Sequence, residues 1–147
     1  MQEKPRITFK NIITTLHNIH YQKAKRAKGV FQVSVKETVN VIEATYNRFT
    51  LAFTRHVTVS PESLFEIVVT YHIEGEVDEQ ALSTLNQQNT TLRQFIDSSK
   101  KAIVQTQNVV GHSSLLIAQI TAYNERNPLV LQPFLHKGEP KKTSFTQ

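Results

Sequence analysis

Cysteine is absent from this 147-residue chain, which excludes a disulfide framework and the usual thiolate zinc or iron–sulfur sites. Glycine is scarce, and Gly29, Gly75, Gly111 and Gly138 stand apart, so no glycine-rich loop can cradle a phosphate. No apolar run approaches the roughly 18 residues that a membrane-spanning helix needs. Met1-Gln2-Glu3-Lys4-Pro5 lacks the apolar core of a secretory signal, and with the missing cysteines this sets the expectation of a cytoplasmic protein. What is present is a hydrophobic content of 39% and a charged content of 20%, the balance of a folded chain. The length fits one domain, expected over residues 1–135, followed by a polar, basic and flexible tail at residues 136–147.

Lysine and arginine outnumber the acids by 17 to 12, for a formal charge of +5. Most of the clustering lies at Lys23, Lys25, Arg26 and Lys28, with an echo at Lys141 and Lys142. Nucleic-acid modules interleave such cations with stacking aromatics or set them along a recognition helix. Here the cluster runs into Gly29 and a strand, so it reads first as a solvated loop and second as an anion-binding patch.

From Phe31 the hydrophobic period is two. Phe31, Val33, Val35, Val39 and Val41 share one side, as do Phe49, Leu51, Phe53, Val57 and Val59 in the next stretch. A third stretch places Phe65, Ile67, Val69, Tyr71 and Ile73 together and is apolar enough to be a central strand. A reversal centred on Glu62 sets Val59 opposite Phe65, Val57 opposite Ile67, Phe53 opposite Tyr71 and Leu51 opposite Ile73. A reversal centred on Thr45 sets Val41 against Phe49 and Val39 against Leu51. Both keep the apolar sets on one face, which a slip of one residue would destroy. An earlier strand begins near Arg6 with Ile7, Phe9 and Ile13 alternating. Its irregular continuation through Leu16, Ile19 and Tyr21 marks a bulge, or an edge strand that pairs with another chain. The expected class is α+β: a four-stranded antiparallel meander with helices packed on one face.

After Gly75 the period lengthens. Asp78 can cap a short helix carrying Ala81, Leu82 and Leu85, and Thr91-Leu92-Arg93-Gln94 has the form of a capping box. Leu92, Phe95, Ile96, Ser99 and Ile103 follow at helical spacing, and the pattern runs on through Val110, Ile117 and Ile120. An unbroken helix from Thr91 to Glu125 would be ~52 Å long, so a break is expected at Asn108–Gly111, where propensity is weakest. Beyond it, Leu115, Leu116, Ile117, Ile120 and Tyr123 cover more than the single stripe that a sheet-covering helix needs. A second partner is implied, either the preceding helix or another subunit. We favour another subunit, which makes these five residues the expected oligomer interface. The sheet face is likewise expected to need cover from a neighbouring protomer.

Catalytic equipment is thin. His17 and His20 lie three apart in strand-like sequence with no acidic residue nearby to complete a zinc set, so no metal site is expected from the six histidines. Ser113-Ser114 has neither a nucleophile elbow nor an adjacent base. Glu37 and Arg55 both fall on the apolar face as diagonal neighbours, where a charge must be paired or find water. Their expected role is a structural ion pair near a helix end or subunit boundary. No cofactor and no catalysis are expected.

Four antiparallel strands, a two-sided helix and then Pro128-Leu129-Val130-Leu131-Gln132-Pro133 resemble the SecB export chaperones, whose long helix is followed by a Pro-Leu-x-Leu-x-Pro loop. Phe65 to Tyr71 resembles the fourth strand of that family and Phe49 to Ser60 the third; the chain looks closer still to a family of small streptococcal proteins grouped with the same fold. The resemblance implies a dimer, or a dimer of dimers, in which first strands and long helices meet. It also implies grooves that hold hydrophobic or non-native polypeptide, with Leu129, Leu131 and the adjacent Phe134 as client contacts. A loop folded back on its own sheet edge is the plainer reading of those three. The departures are a short charged tail in place of a second helix, extra helical sequence from Asp78 to about Ile103, and a basic charge where the family is acidic. The expected function is chaperone-like binding of polypeptide by a homodimer or tetramer, without membrane association. The alternatives are a nucleic-acid-associated regulator using Lys23, Lys25, Arg26 and Lys28, or an oligomeric adaptor without a client groove.

Overall fold

The computed structural model describes residues 7–23, 30–60, 65–124, 128–131 and 143–146. Strands β1 (Phe9–Lys23), β2 (Val30–Thr45), β3 (Arg48–Ser60) and β4 (Phe65–Val77) precede helices α1 (Glu79–Gln87), α2 (Leu92–Thr106) and α3 (Val109–Asn124), and a short strand β5 (Thr143–Thr146) closes the order. The sheet runs β1-β4-β3-β2-β5 with every neighbour antiparallel. The expected antiparallel sheet is therefore present. Its meander comprises β2, β3 and β4, while β1 joins the far side of β4 and leaves that most apolar strand in the interior.

The β3–β4 register is the expected one, with Val59 opposite Phe65, Val57 opposite Ile67 and Leu51 opposite Ile73. The β2–β3 register differs by two residues, pairing Val41 with Leu51, Val39 with Phe53 and Glu37 with Arg55. A shift of two preserves which face each side chain occupies, so the apolar set stays together. The cause is a bulge between Val41 and Glu43, next to a tight turn in which Tyr46 takes φ 53°. Ile42, left over by the bulge, is exposed.

The helices form where local chemistry starts them. The Asp78 carboxylate accepts from the Ala81 amide at 2.7 Å, and Thr91 and Gln94 make a reciprocal capping box at 3.1 and 3.0 Å. The break is where it was expected: α2 stops at Thr106, Asn108 takes φ 53°, and α3 starts at Val109. Gly111 permits this corner, because a Cβ there would lie 2.6 Å from Asn108 Oδ1.

These helices cover the sheet from a single chain. Leu51, Phe53, Val57, Val59, Phe65, Ile67, Val69 and Ile73 are fully buried with Ile96, Val104 and Ile117 against them. The expectation that a neighbouring protomer must roof the sheet is corrected for β3 and β4, whose apolar side chains lie under α2, α3 and the 128–131 segment, while Leu16 and Ile19 of β1 stay exposed. The flexible tail is also corrected in part, since Thr143–Thr146 forms β5 against Val30–Val33. β5 takes backbone groups of the outer edge of β2 that a sheet edge would otherwise turn to solvent.

Candidate functional site

Arg55 organises the layer between sheet and helix. It projects from β3 into the apolar face and is completely buried, with Glu37 of β2 at 3.0 Å from its Nε. Its Nη1 donates to the Val110 carbonyl and the Ser113 hydroxyl, each at 3.2 Å, and to the Ser114 hydroxyl. Both hydroxyls in turn donate to the Val110 carbonyl, at 2.8 and 2.9 Å. Burial pulls the guanidinium below its ordinary value and the facing Glu37 carboxylate opposes that shift. The pair expected from sequence thus exists as direct cross-strand partners, and it holds the first turns of α3 onto the sheet. Sequence reading missed the serines as its third and fourth members; their signal was a pair of adjacent hydroxyls early in a largely apolar helix.

The apolar excess of α3 divides. Ile117 is fully buried in its own core, which removes it from the expected oligomer interface, whereas Leu115 is 62% and Tyr123 91% exposed. Leu116 and Ile120 are half-buried between them and the core. The segment after α3 folds back. The Leu129 amide donates to Thr121 Oγ1 at 2.6 Å, and that hydroxyl donates to the Ile117 carbonyl at 2.8 Å. Leu129 and Leu131 are consequently buried, as the plainer reading of a loop folded back has it, and Val130 between them is left outside, at 74%. Alternation explains it, because an extended segment lying on a core buries every second side chain. Phe134 lies outside the described residues.

β1 borders the same side of the molecule. Its register sets Leu16 opposite Tyr71 and Ile19 opposite Val69, so both sit on the helix-covered face, and both are exposed. Register shifts between Lys10 and Ile13 and between Leu16 and Asn18 account for the broken alternation seen in the sequence. Burial raises the Tyr71 hydroxyl above its ordinary value.

The opposite face of the sheet is polar. His17 stacks on His72 with centroids 3.8 Å apart, the Thr54 and Thr70 hydroxyls meet at 3.2 Å, and His56 lies 2.7 Å from Glu66. Among the described residues no group of three potential ligands converges on a metal site. Lys23 ends β1, while Lys25, Arg26 and Lys28 lie outside the described residues. Among the described residues no helix is long and apolar enough to cross a membrane.

No family model and no curated protein matches the chain. Comparison with solved structures does find its fold. A SecB-like chaperone of Mycobacterium tuberculosis, solved with a peptide from the HigA1 antitoxin, aligns over 88% of both chains at TM-score 0.57 and 12% identity. A protein of unknown function from Streptococcus agalactiae aligns over 87% of this chain and 99% of its own at TM-score 0.41 and 7% identity, too low to support an argument. The chain has a SecB-like fold.

Proposed function

We propose that this SecB-like domain is a non-catalytic, chaperone-like module that binds hydrophobic or non-native polypeptide and works as a homodimer or tetramer. The observation that carries the reading is the uncovered apolar surface on the helix side: Leu115 and Tyr123 of α3, Val130 beside it, and Leu16 and Ile19 of β1. The single chain leaves these side chains in water, where their burial is worth about 25 cal/mol per Å². Support also comes from the M. tuberculosis neighbour, which was solved holding a peptide.

In this reading α3 assembles the protomers through Leu115, Leu116, Ile120 and Tyr123. The client lies along Val130 and reaches Leu129 and Leu131 when the segment lifts from Thr121. Among the described residues that segment is held by the Leu129 N–H to Thr121 Oγ1 hydrogen bond and by burial of Leu129 and Leu131, so lifting it gives up less than opening the sheet. The test is aggregation of a destabilised globular protein at increasing ratios of this chain. Suppression near stoichiometric levels is the expected result, and unchanged aggregation across the whole range rejects the function.

A further inference from the structure

We infer that β5 is an internal occupant of a strand-accepting edge on β2, and that an extended polypeptide displaces it to bind there. The inference rests on the polypeptide-binding reading above and names the site and chemistry it would use. β5 is the outermost strand of the sheet. It pairs antiparallel with β2, placing Thr146 opposite Val30, Phe145 opposite Phe31, Ser144 opposite Gln32 and Thr143 opposite Val33. Thr143-Ser144-Phe145-Thr146 contains neither charge nor proline, and Lys141 and Lys142 precede it. It is a neutral segment of good strand propensity, the kind that adds to a sheet edge.

Among the described residues the edge is longer than its occupant. Among the described residues, the strand neighbour of β2 from Ser34 onward is β3, until the bulge at Ile42 bends the edge away. Along this stretch a cleft of about 440 Å³ opens between β2 and α2, lined by Asn40, Val41, Arg93, Gln94, Asp97 and Lys100. The Val41 carbonyl there accepts from Arg93 Nη2 at 3.1 Å, from an exposed side chain that can turn aside. Long flat edges are normally blunted, because they template pairing with other chains. Here the bulge guards one end and β5 the other, with Ser34–Val41 between them.

An extended polypeptide that uses the whole edge must take the backbone groups of Val30–Val33 from β5, since each N–H and C=O serves one ladder at a time. Such pairing recognises backbone and tolerates sequence, as a binder of diverse non-native chains requires. β5 is tethered to the same molecule and so competes at high effective concentration. A tail closed nine times in ten would weaken an incoming strand about tenfold.

The experiment uses two probes and two proteins. The probes are a labelled synthetic peptide of residues 139–147 and a cysteine-blocked, permanently unfolded globular protein. The proteins are the intact chain and the variant carrying Ser144→Pro with Phe145→Pro, whose tail cannot maintain the ladder; a chain ending at Lys142 repeats the comparison if the prolines disturb folding. Both probes are expected to bind the variant about tenfold more tightly than the intact chain. Equal affinity of the tail peptide for the two proteins, or none for the variant, overturns the inference. Equal, measurable binding of the unfolded protein to both also overturns it, while leaving the polypeptide-binding function standing. If the tail peptide shows the tenfold difference and the unfolded protein binds neither, β5 occupancy is upheld and the function proposed above is the one rejected.

Discussion

Glu37 and Arg55 face each other across β2 and β3 at 3.0 Å, beneath the first turns of α3 and away from water. A buried pair of this kind stabilises little against a hydrophobic replacement, yet breaking it strands a charge. Arg55→Met is expected to cost about 3–5 kcal/mol by leaving the Glu37 carboxylate alone on an apolar face. Glu37→Leu combined with Arg55→Met should restore most of that loss. Urea denaturation of the single and double variants checks both, and an additive double variant would show that the pair does not act as a unit.

Gly75 stands opposite Phe49, and a Cβ on it would lie 2.6 Å from the Phe49 ring. Gly75→Ala is therefore expected to destabilise by about 1–3 kcal/mol through overpacking. The same substitution in a Phe49→Leu background should cost less than it does alone. The coupling energy from that double-mutant cycle is the measurement.

Tyr71 ties stability to alkaline pH. Its folded-state value lies above the unfolded 10.0, so the unfolded chain gives up this proton first as pH rises. Its contribution is whole below pH 10.0 and is lost as pH climbs from there through the raised folded value. Tyr71→Phe should flatten that part of the curve relative to the parent. Chemical denaturation of both proteins across the alkaline range reads the difference directly, and parallel curves would refute the assignment.

Leu115 and Tyr123 lie outside the single-chain core. Replacing both with serine should change the stability of one protomer by no more than about 0.5 kcal/mol per site. The same variant is expected to fall to a monomer by light scattering and to lose suppression of client aggregation. Retained assembly would move the subunit interface away from α3.

How much of this was legible beforehand can be judged from particular elements. The two-residue period of Phe65 to Ile73 marked a central strand, and β4 is one, with β1 and β3 on either side. The capping box at Thr91 and Gln94 and the corner at Asn108 were written in residue chemistry acting over four or five positions. Glu37 and Arg55 were paired from face parity, although the bulge that makes them direct partners was hidden in a run of otherwise regular alternation. That Leu129 and Leu131 lie inward was not legible, because hydrophobicity does not say whether a segment folds inward or waits for a partner. Val130 went unnoticed for the same reason.

The sequence by itself determined β2, β3 and β4, the face that their side chains take, and the caps and corner of the helices. Those are local matters of backbone parity, rotamer and cap, decided within one or two turns of chain. Only the tertiary structure decided that β1 lies beside β4, that Ile117 turns inward while Leu115 and Tyr123 stay out, and that Thr143–Thr146 closes the edge of β2. These choices depend on contacts between segments far apart in sequence. Many weak contacts compete there for the same backbone edges and core space, and no single residue records which arrangement prevails.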